Sequence, residues 1–529
     1  MPLEVLRVGM SQVLVVDVVI VGSGFAGSLT AAILSHHGLR VALLDRARHP
    51  RFAIGESSTP TANFILRDLA QRHDLPELVP LCKFGPWRRA YPEVMCGLKR
   101  GFSYFQQVAG REFMPDVRHR NELLVAASAD DDLADTQWLR ADVDAFLFRV
   151  AQSKGAMTSE EVSVGQIERQ SSGDWRIETS QGEFRCRFLI DATGHPDALK
   201  LAERFPRSID ERDSQRPSPP KLQSNSRSIF GHFAGLPRWE DLMQASSPTA
   251  TLDHPFHADD AALHHVLDEG WMWWIRFAND VTSVGLVLDN HRFPGDESQT
   301  PEDEWRRVLG RYPALSPLLN AARLVEPQRQ LIRTGRLQRC AAQCFGDGWA
   351  ILPHTAGFID PLHSTGIAYS LAGVDRLTQS LLSHRDFTKT ELLPSLEQYE
   401  RAIFSELELI DLFVSGAYIA IELSSFPKFV AFAMTYFAAA TTWEHQRIES
   451  PAGTTPPLFL ADQVEFRQIV AELWQSLGTK SDGDFESLCA ERLTPFNRVG
   501  LFSPPCHNMY GQTAAPELEP LTFEAGNGN

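Results

Sequence analysis

Basic charge, cysteine and long apolar runs are all in short supply in this chain, and each shortage excludes something. Across 529 residues Lys+Arg number 50 against 67 Asp+Glu, a formal net charge of −17. A nucleic-acid surface draws its affinity from basic residues that displace phosphate counterions, so this balance argues against nucleic acid as a partner. The seven cysteines (82, 96, 186, 340, 344, 489 and 506) are scattered and odd in number. Cys340 and Cys344 are spaced for one helical face, but no second pair at metal-ligand spacing follows, and no metal site is expected. Reduced thiols in a cytoplasmic protein are the economical reading. No apolar run approaches the roughly 18 residues of a membrane span. Phe429 to Ala440 is the longest candidate, and it is too short. The apolar stretch Val13 to Val21 carries Asp17 and leads into glycines, which reads as a buried strand rather than a signal peptide.

What is present is an ordinary folded composition, 43% apolar and 22% charged. At about 150 residues per domain, the length suggests three or four structural units. The first forty-five residues alternate strand, glycine turn, helix and strand. Leu14 to Val21 is nearly all β-branched or aliphatic, as expected for a parallel strand covered on both faces. Phe25 to His37 follows as a small-residue helix with Gly38 at its C′ position, and Arg40 to Asp45 is the next strand. Further on, a helix is expected after Pro60, a strand over 94–108, a surface loop over 128–136 and a helix over 143–151. Short strands fill 160–191, and strands near Trp271 and at Ser283 to Leu288 form a second sheet. The segment 205–228, rich in Pro, Ser, Arg and Gln, reads as a mobile loop. From about residue 386 the pattern turns helical, and the last six residues read as a frayed tail.

Gly22-Ser-Gly24-Phe-Ala-Gly27 is a GxGxxG turn between a strand and a helix. Its first glycine permits the tight turn, its second lets backbone approach a pyrophosphate, and its third brings helix and strand together. The helix N-terminus then offers N–H groups to phosphate. Asp45 stands 18 residues beyond Gly27, where a carboxylate suits a ribose hydroxyl.

Four further segments, in this order, extend the pattern. Gly55-Glu-Ser-Ser-Thr-Pro60 follows the second strand, Trp138-Leu-Arg140 opens a helix, Asp191-Ala-Thr-Gly194 ends a strand, and Phe358-Ile-Asp360-Pro361-Leu-His363-Ser364-Thr-Gly366 leads into a helix. Together they resemble the flavin-dependent halogenases, in particular a phenol-type branch related to the tryptophan halogenases. The last segment resembles that family's FxPxxSxG motif, with Pro361, Ser364 and Gly366 in register and Ile359 at the phenylalanine position. Cys96-Gly-Leu-Lys99-Arg-Gly-Phe102 resembles the C-G-[IL]-K-x-G-F stretch that carries the essential lysine in phenol-type members, and Lys99 takes its place. Alternation alone would make Lys99 and Arg100 a solvated pair, with Lys99 sharing a face with Gly101 and Ser103 and opposed to Phe102 and Tyr104. Small neighbours would leave room for a ligand beside the lysine. Lys83 is a rival without the strand pattern. Gly270-Trp271-Met-Trp273-Trp274-Ile-Arg276 nearly matches the family's WxWxIP motif, with Arg276 where proline is expected, which puts the blocking of oxygen insertion in doubt. Without the resemblance it is an aromatic core strand.

The resemblance implies an α/β fold: a glutathione-reductase-type, Rossmann-like FAD-binding domain with a substrate-side β-sheet and a helical C-terminal region. Its parts would be an N-terminal extension at 1–12, the FAD domain over 13–200 and 340–385, the substrate-side sheet domain over 201–339 and the helical region over 386–529. FAD would be held by Gly22, Gly24, Gly27, Asp45, Glu56, Ser57, Arg140 and Asp360. Halide, chloride or bromide, would sit at Ser364, Thr365 and Gly366, with a plain helix cap at Ser364 as the weaker alternative. Trp271 and Trp273 would screen substrate from flavin. His363 replaces the carboxylate that tryptophan-directed members place before the motif serine, so an indole site is disfavoured. It acts either as a base toward a phenolic hydroxyl or as a core histidine. The implied reaction uses FAD reduced by a separate flavin reductase and O2. A flavin hydroperoxide yields hypohalous acid, and Lys99 directs the halogen onto an electron-rich, phenolic ring, free or carrier-bound. An FAD-dependent aromatic hydroxylase or dehydrogenase, or a catalytically silent flavin-binding protein, are the alternatives.

Overall fold

The computed structural model describes all residues except 1–12, 208–217, 388, 450–452 and 516–529. The proposed N-terminal extension, the middle of the 205–228 loop and the frayed tail lie outside the described residues.

The run Val18–Val21 is buried at every position because strands flank it on both sides and helices cover it. It pairs in parallel with Val41–Leu44 and Phe188–Asp191, at the centre of a six-stranded sheet in the order 345–346, 349–351, 188–191, 18–21, 41–44, 157–159. The crossover helix Phe25–His36 is capped at its C-terminus by His37, and Gly38 follows in the left-handed region, as the sequence suggests. Two turn glycines have specific geometric reasons to lack a side chain. Gly22 has φ +108°, and a Cβ there would meet the Ala192 carbonyl oxygen at 2.3 Å. Gly27 lets the helix lie against the turn, since a Cβ would stand 2.0 Å from the Gly22 oxygen.

The second sheet is larger and mostly antiparallel. Its order is 323–326, 226–234, 281–289, 270–276, 262–267, 101–106, 122–126 and 509–510, with 332–333 also pairing on 226–234. Two pairings are parallel: 262–267 with 101–106, and the C-terminal Met509–Tyr510 with Leu124 and Val125. The pleat of the strand Gly270–Arg276 sorts its side chains between two cores. Trp271, Trp273 and Ile275 pack toward the nucleotide sheet and the C-terminal helices, whereas Met272 and Trp274 face a separate core with Trp239 and Trp305. The helices Lys389–Glu422 and Phe426–Glu449 pack on each other, and Lys389–Glu422 also packs on the helix Gly366–Ser383. Among the described residues no helix is long and apolar enough to cross a membrane.

Several local expectations are corrected. The strand expected over 94–108 is two strands in different sheets. Cys96–Lys99 pairs with Asp135–Trp138, while Gly101–Gln106 belongs to the large sheet. The chain changes sheets at Arg100, whose N–H and C=O bond to Asp260 and Ala127 in register with the large sheet and off the Cys96–Lys99 ladder. The loop expected at 128–136 ends earlier, because Asp135 and Thr136 are buried strand residues. The loop read as 205–228 ends at Ser226, where the strand Ser226–Ala234 begins. Cys340 sits in a short strand and Cys344 in a turn, so they share no helical face, and all seven cysteines are free thiols.

Candidate active site

A cavity of about 1160 Å³ runs along the C-terminal ends of the nucleotide-sheet strands and on to the large sheet. Open α/β sheets place nucleotide ligands there, because strand ends and helix N-termini converge. At the turn end it is lined by Gly22, Gly24, Gly27, Asp45, Arg51, Arg140 and Thr193. Asp45 accepts hydrogen bonds from the Ser23 N–H (2.8 Å) and hydroxyl (2.7 Å) and lies 3.3 Å from Arg51, so it braces the turn as well as facing the cavity. Despite burial, Arg51 and these donors hold its carboxyl below the usual range. Arg140 pairs with Asp144 at 2.9 Å and donates to the Ile54 carbonyl at 2.7 Å. Asp144 in turn accepts from the Phe25 N–H at 3.1 Å, so this one pair fixes both the glycine-turn helix and the 54–55 loop.

Glu56 lines the same cavity, and its side chain reaches the large sheet, meeting His232 at 2.7 Å. Its carbonyl receives the Trp138 N–H at 2.6 Å. Ser57 bridges to Gln137. The far end is built by Phe358, Asp360, Ser364, Gly366, Trp271, Trp273 and His264. Asp360 accepts from Ser226 (2.6 Å) and Tyr418 (3.0 Å) and caps the 361–363 turn; burial pushes its carboxyl up to about 6. Ser364 has φ +52°, which swings the chain into the helix beginning at Gly366. Its N-cap, Thr365, makes no side-chain capping bond, and the space where a Gly366 Cβ would point is open. That helix start therefore faces the cavity with backbone N–H groups and room for a small anion.

Trp273 lies over Gly285, where a Cβ would fall 2.1 Å from the indole, and donates to the Ser283 hydroxyl at 3.1 Å. Arg276 lies on the opposite face of that strand from Trp271 and Trp273. It binds Asp259 at 2.8 Å and the Leu236 carbonyl at 2.8 Å. The arginine in place of proline thus ties down a neighbouring loop and leaves both cavity-facing tryptophans in position.

Lys99 is fully buried at the end of its strand. Its Nζ donates to the Ser58 carbonyl and lies 4.1 Å from the centroid of the Phe102 ring. The expected face assignment is therefore wrong: the break at Arg100 rotates the next strand so that Phe102 sits under the lysine. The flanking glycines do not make ligand room either, since a Cβ at Gly97 would strike the Arg276 oxygen at 1.8 Å and one at Gly101 the Val125 oxygen at 2.0 Å. Burial brings the Lys99 ammonium down to about 7, although Asp135 across the ladder opposes the shift. Lys83, the rival, is only partly buried at the start of the helix Phe84–Ala90.

Three participants were not singled out in the sequence. His264 lines the cavity, stacks on Tyr104 at 4.4 Å, and is driven down to about 3 by burial and then by nearby Lys99 and His363. Asp135 stands opposite Lys99 and accepts from Asn63 at 2.6 Å. Glu444, on the C-terminal helix Phe426–Glu449, borders a second, small pocket with Phe102, Tyr436 and Phe437. Its carboxyl accepts from Thr61 at 2.7 Å and is pushed up to about 8 by burial, with Asp135 adding to the rise. His363 is buried and stacked on Tyr436 at 4.7 Å; burial lowers it to about 3, which leaves a neutral ring and a weak base at neutral pH.

A mostly parallel sheet with a glycine turn opening on this cavity defines a dinucleotide-binding fold. Residues 17–217 match the family model for FAD-dependent oxidoreductases, and 246–426 match that for tryptophan halogenases. The tetracycline 7-halogenase of Kitasatospora aureofaciens is 31% identical over 412 residues, spanning 76% of this chain and 70% of that relative. The monodechloroaminopyrrolnitrin halogenase PrnC of Pseudomonas fluorescens is 30% identical over 412 residues, 76% of this chain and 68% of its own. Among solved structures, halogenase PltM shares the fold, with TM-score 0.79 at 23% identity over 93% of this chain and 99% of that one. This chain belongs to the flavin-dependent halogenase family and is an FAD-dependent halogenase.

Proposed function

We propose that this enzyme halogenates a phenolic ring, using chloride or bromide, at a site between Lys99 and Glu444. The observation that carries the reading is the placement of Lys99. Its Nζ lies against Phe102, whose ring also bounds the Glu444 pocket, and its neighbour His264 lines the large cavity.

Gly22, Gly24, Gly27, Asp45, Glu56, Ser57, Arg140 and Asp360 would hold FAD, and a separate flavin reductase would deliver the cofactor reduced. Reduced FAD and O2 together supply the oxidising power that converts halide to electrophilic halogen. Ser364, Thr365 and Gly366 hold the halide at the helix start, where backbone N–H groups favour an anion. Trp271 and Trp273 wall the cofactor from the substrate. Lys99, with its pKa near 7, presents a partly neutral amine that receives and positions the electrophilic halogen. Glu444 accepts the phenolic proton as the ring is attacked, and His363 packs against Tyr436 as part of the pocket wall. The acceptor, free or carrier-bound, is a small aromatic. PltM has been solved with phloroglucinol and FAD, and another relative is a pyrrole-2-carbonyl carrier-protein chlorinase.

The test is aerobic turnover with FAD, NADH, a flavin reductase, and chloride or bromide over a panel of phenols, pyrroles and indoles. Phenol products with halogen isotope patterns are expected. Oxygen addition, or halogenation confined to indoles, would overturn the reading.

Glu444→Gln is expected to lower the halogenation rate on a phenol by about 10²-fold. Because the folded carboxyl keeps its proton up to about 8, the wild-type rate rises with pH through that value, and the variant loses that rise. A variant with the wild-type pH profile would remove Glu444 from the mechanism.

A further inference from the structure

We propose that His119, Glu122 and His254 form a zinc-class divalent metal site at the far end of the large sheet, where the cation clamps two separate segments. The cysteine spacing that argued against a metal concerns thiolate sites only. These donors are nitrogen and oxygen, and His254 lies more than 130 residues beyond His119 and Glu122, too far for a local motif to register.

The three residues bring one ligand atom each within 4.8 Å of one another. Glu122 is fully buried and offers one oxygen to each histidine: Oε1 lies 2.6 Å from His119 Nδ1, and Oε2 lies 3.6 Å from His254 Nε2. Neither Glu122 Oε2 nor His254 Nε2 makes a hydrogen bond, although both are buried. Those two atoms face each other across a gap wider than a hydrogen bond, a separation at which two ligands of one tetrahedral cation stand. Bonds of about 2.0–2.2 Å to zinc place ligand atoms a little over 3 Å apart.

The outer contacts point the same way. His119 turns its other nitrogen, Nε2, to Asp253 at 2.8 Å, and His254 turns Nδ1 to Glu240 at 3.3 Å. Each histidine thus aims one nitrogen at Glu122 while a carboxylate holds the other, the arrangement that orients metal-ligating imidazoles and raises their basicity. Two imidazoles and one carboxylate suit zinc better than calcium or magnesium, which prefer all-oxygen shells. Binding replaces protons on the two imidazoles, so affinity rises with pH. The cation would join the 116–122 turn to the 250–257 loop. Through the His119 carbonyl, which receives Asn508 Nδ2 at 2.8 Å, it would also reach the C-terminal strand.

The experiment uses full-length protein, stripped with chelator, dialysed against zinc chloride and assayed by elemental analysis and thermal melting. Wild type is expected to retain close to one more zinc per chain than His254→Gln or Glu122→Gln, and to release protons on titration. Zinc should raise the wild-type melting temperature and leave both variants unchanged. Equal zinc content in wild type and both folded variants would overturn the site, as would no retained zinc in wild type. If one variant fails to fold, the other carries the comparison. Cobalt titration adds a readout in wild type alone, since absence of a tetrahedral visible spectrum would also count against the site.

Discussion

Lys99→Met is expected to lower halogenated-product formation by at least about 10³-fold while FAD loading stays at wild-type level. Methionine matches the length of the lysine stem and fills the same dry space, so the fold has little reason to suffer. The proton linkage supplies an independent check. Folded Lys99 gives up its proton near 7, against an ordinary value of 10.5. Between those values the unfolded chain binds more protons than the folded one, so wild-type stability gains with rising pH across that window, and Lys99→Met lacks that gain. Chemical denaturation at pH 7 and pH 9 measures it, and product mass spectrometry measures the turnover. A variant that halogenates within tenfold of wild type would sink the assignment.

Gly27→Val is expected to abolish FAD binding. The Gly27 position sits where the helix Phe25–His36 crosses the turn, and even a methyl carbon would lie 2.0 Å from the Gly22 oxygen and 3.0 Å from the Ala192 side chain. Neither backbone can retreat without moving the helix start that faces the cofactor phosphates. Flavin absorbance of the purified variant should vanish, and titration with FAD should show no saturable binding. Gly511→Ala, at a position with open space around it, should bind FAD as wild type does. FAD affinity within tenfold of wild type in Gly27→Val would refute the packing argument.

How much of this was legible in the sequence depended on whether the signal was local. The nucleotide strand, its glycine turn and the crossover helix were readable because burial on both faces and a φ of +108° leave only certain residues possible. The break at Arg100 was not, since Cys96 to Gln106 alternates like one strand, and only the Asp260 and Ala127 partners across the fold reveal two. Asp135 looked like part of an acidic surface loop, because its ladder with Lys99 joins residues 36 positions apart. Glu444 lies inside an aromatic helix and carries no local signal until Thr61 and the Phe102 pocket are placed beside it. A trace of His264 was available, since His264 and His265 interrupt an otherwise apolar strand. Nothing in its neighbours pointed to the flavin cavity.

The short strand Met509–Tyr510 also governs how the molecule behaves among its own copies. Without it, Glu122–Ala126 would be the last strand of the large sheet, with five buried residues and an unsatisfied row of backbone donors and acceptors. Two paired residues and the Thr513 N–H to Ala126 bond are enough to occupy that row. A chain nicked ahead of residue 509 would therefore carry an adhesive border, and its first symptom in solution would be self-association rather than unfolding.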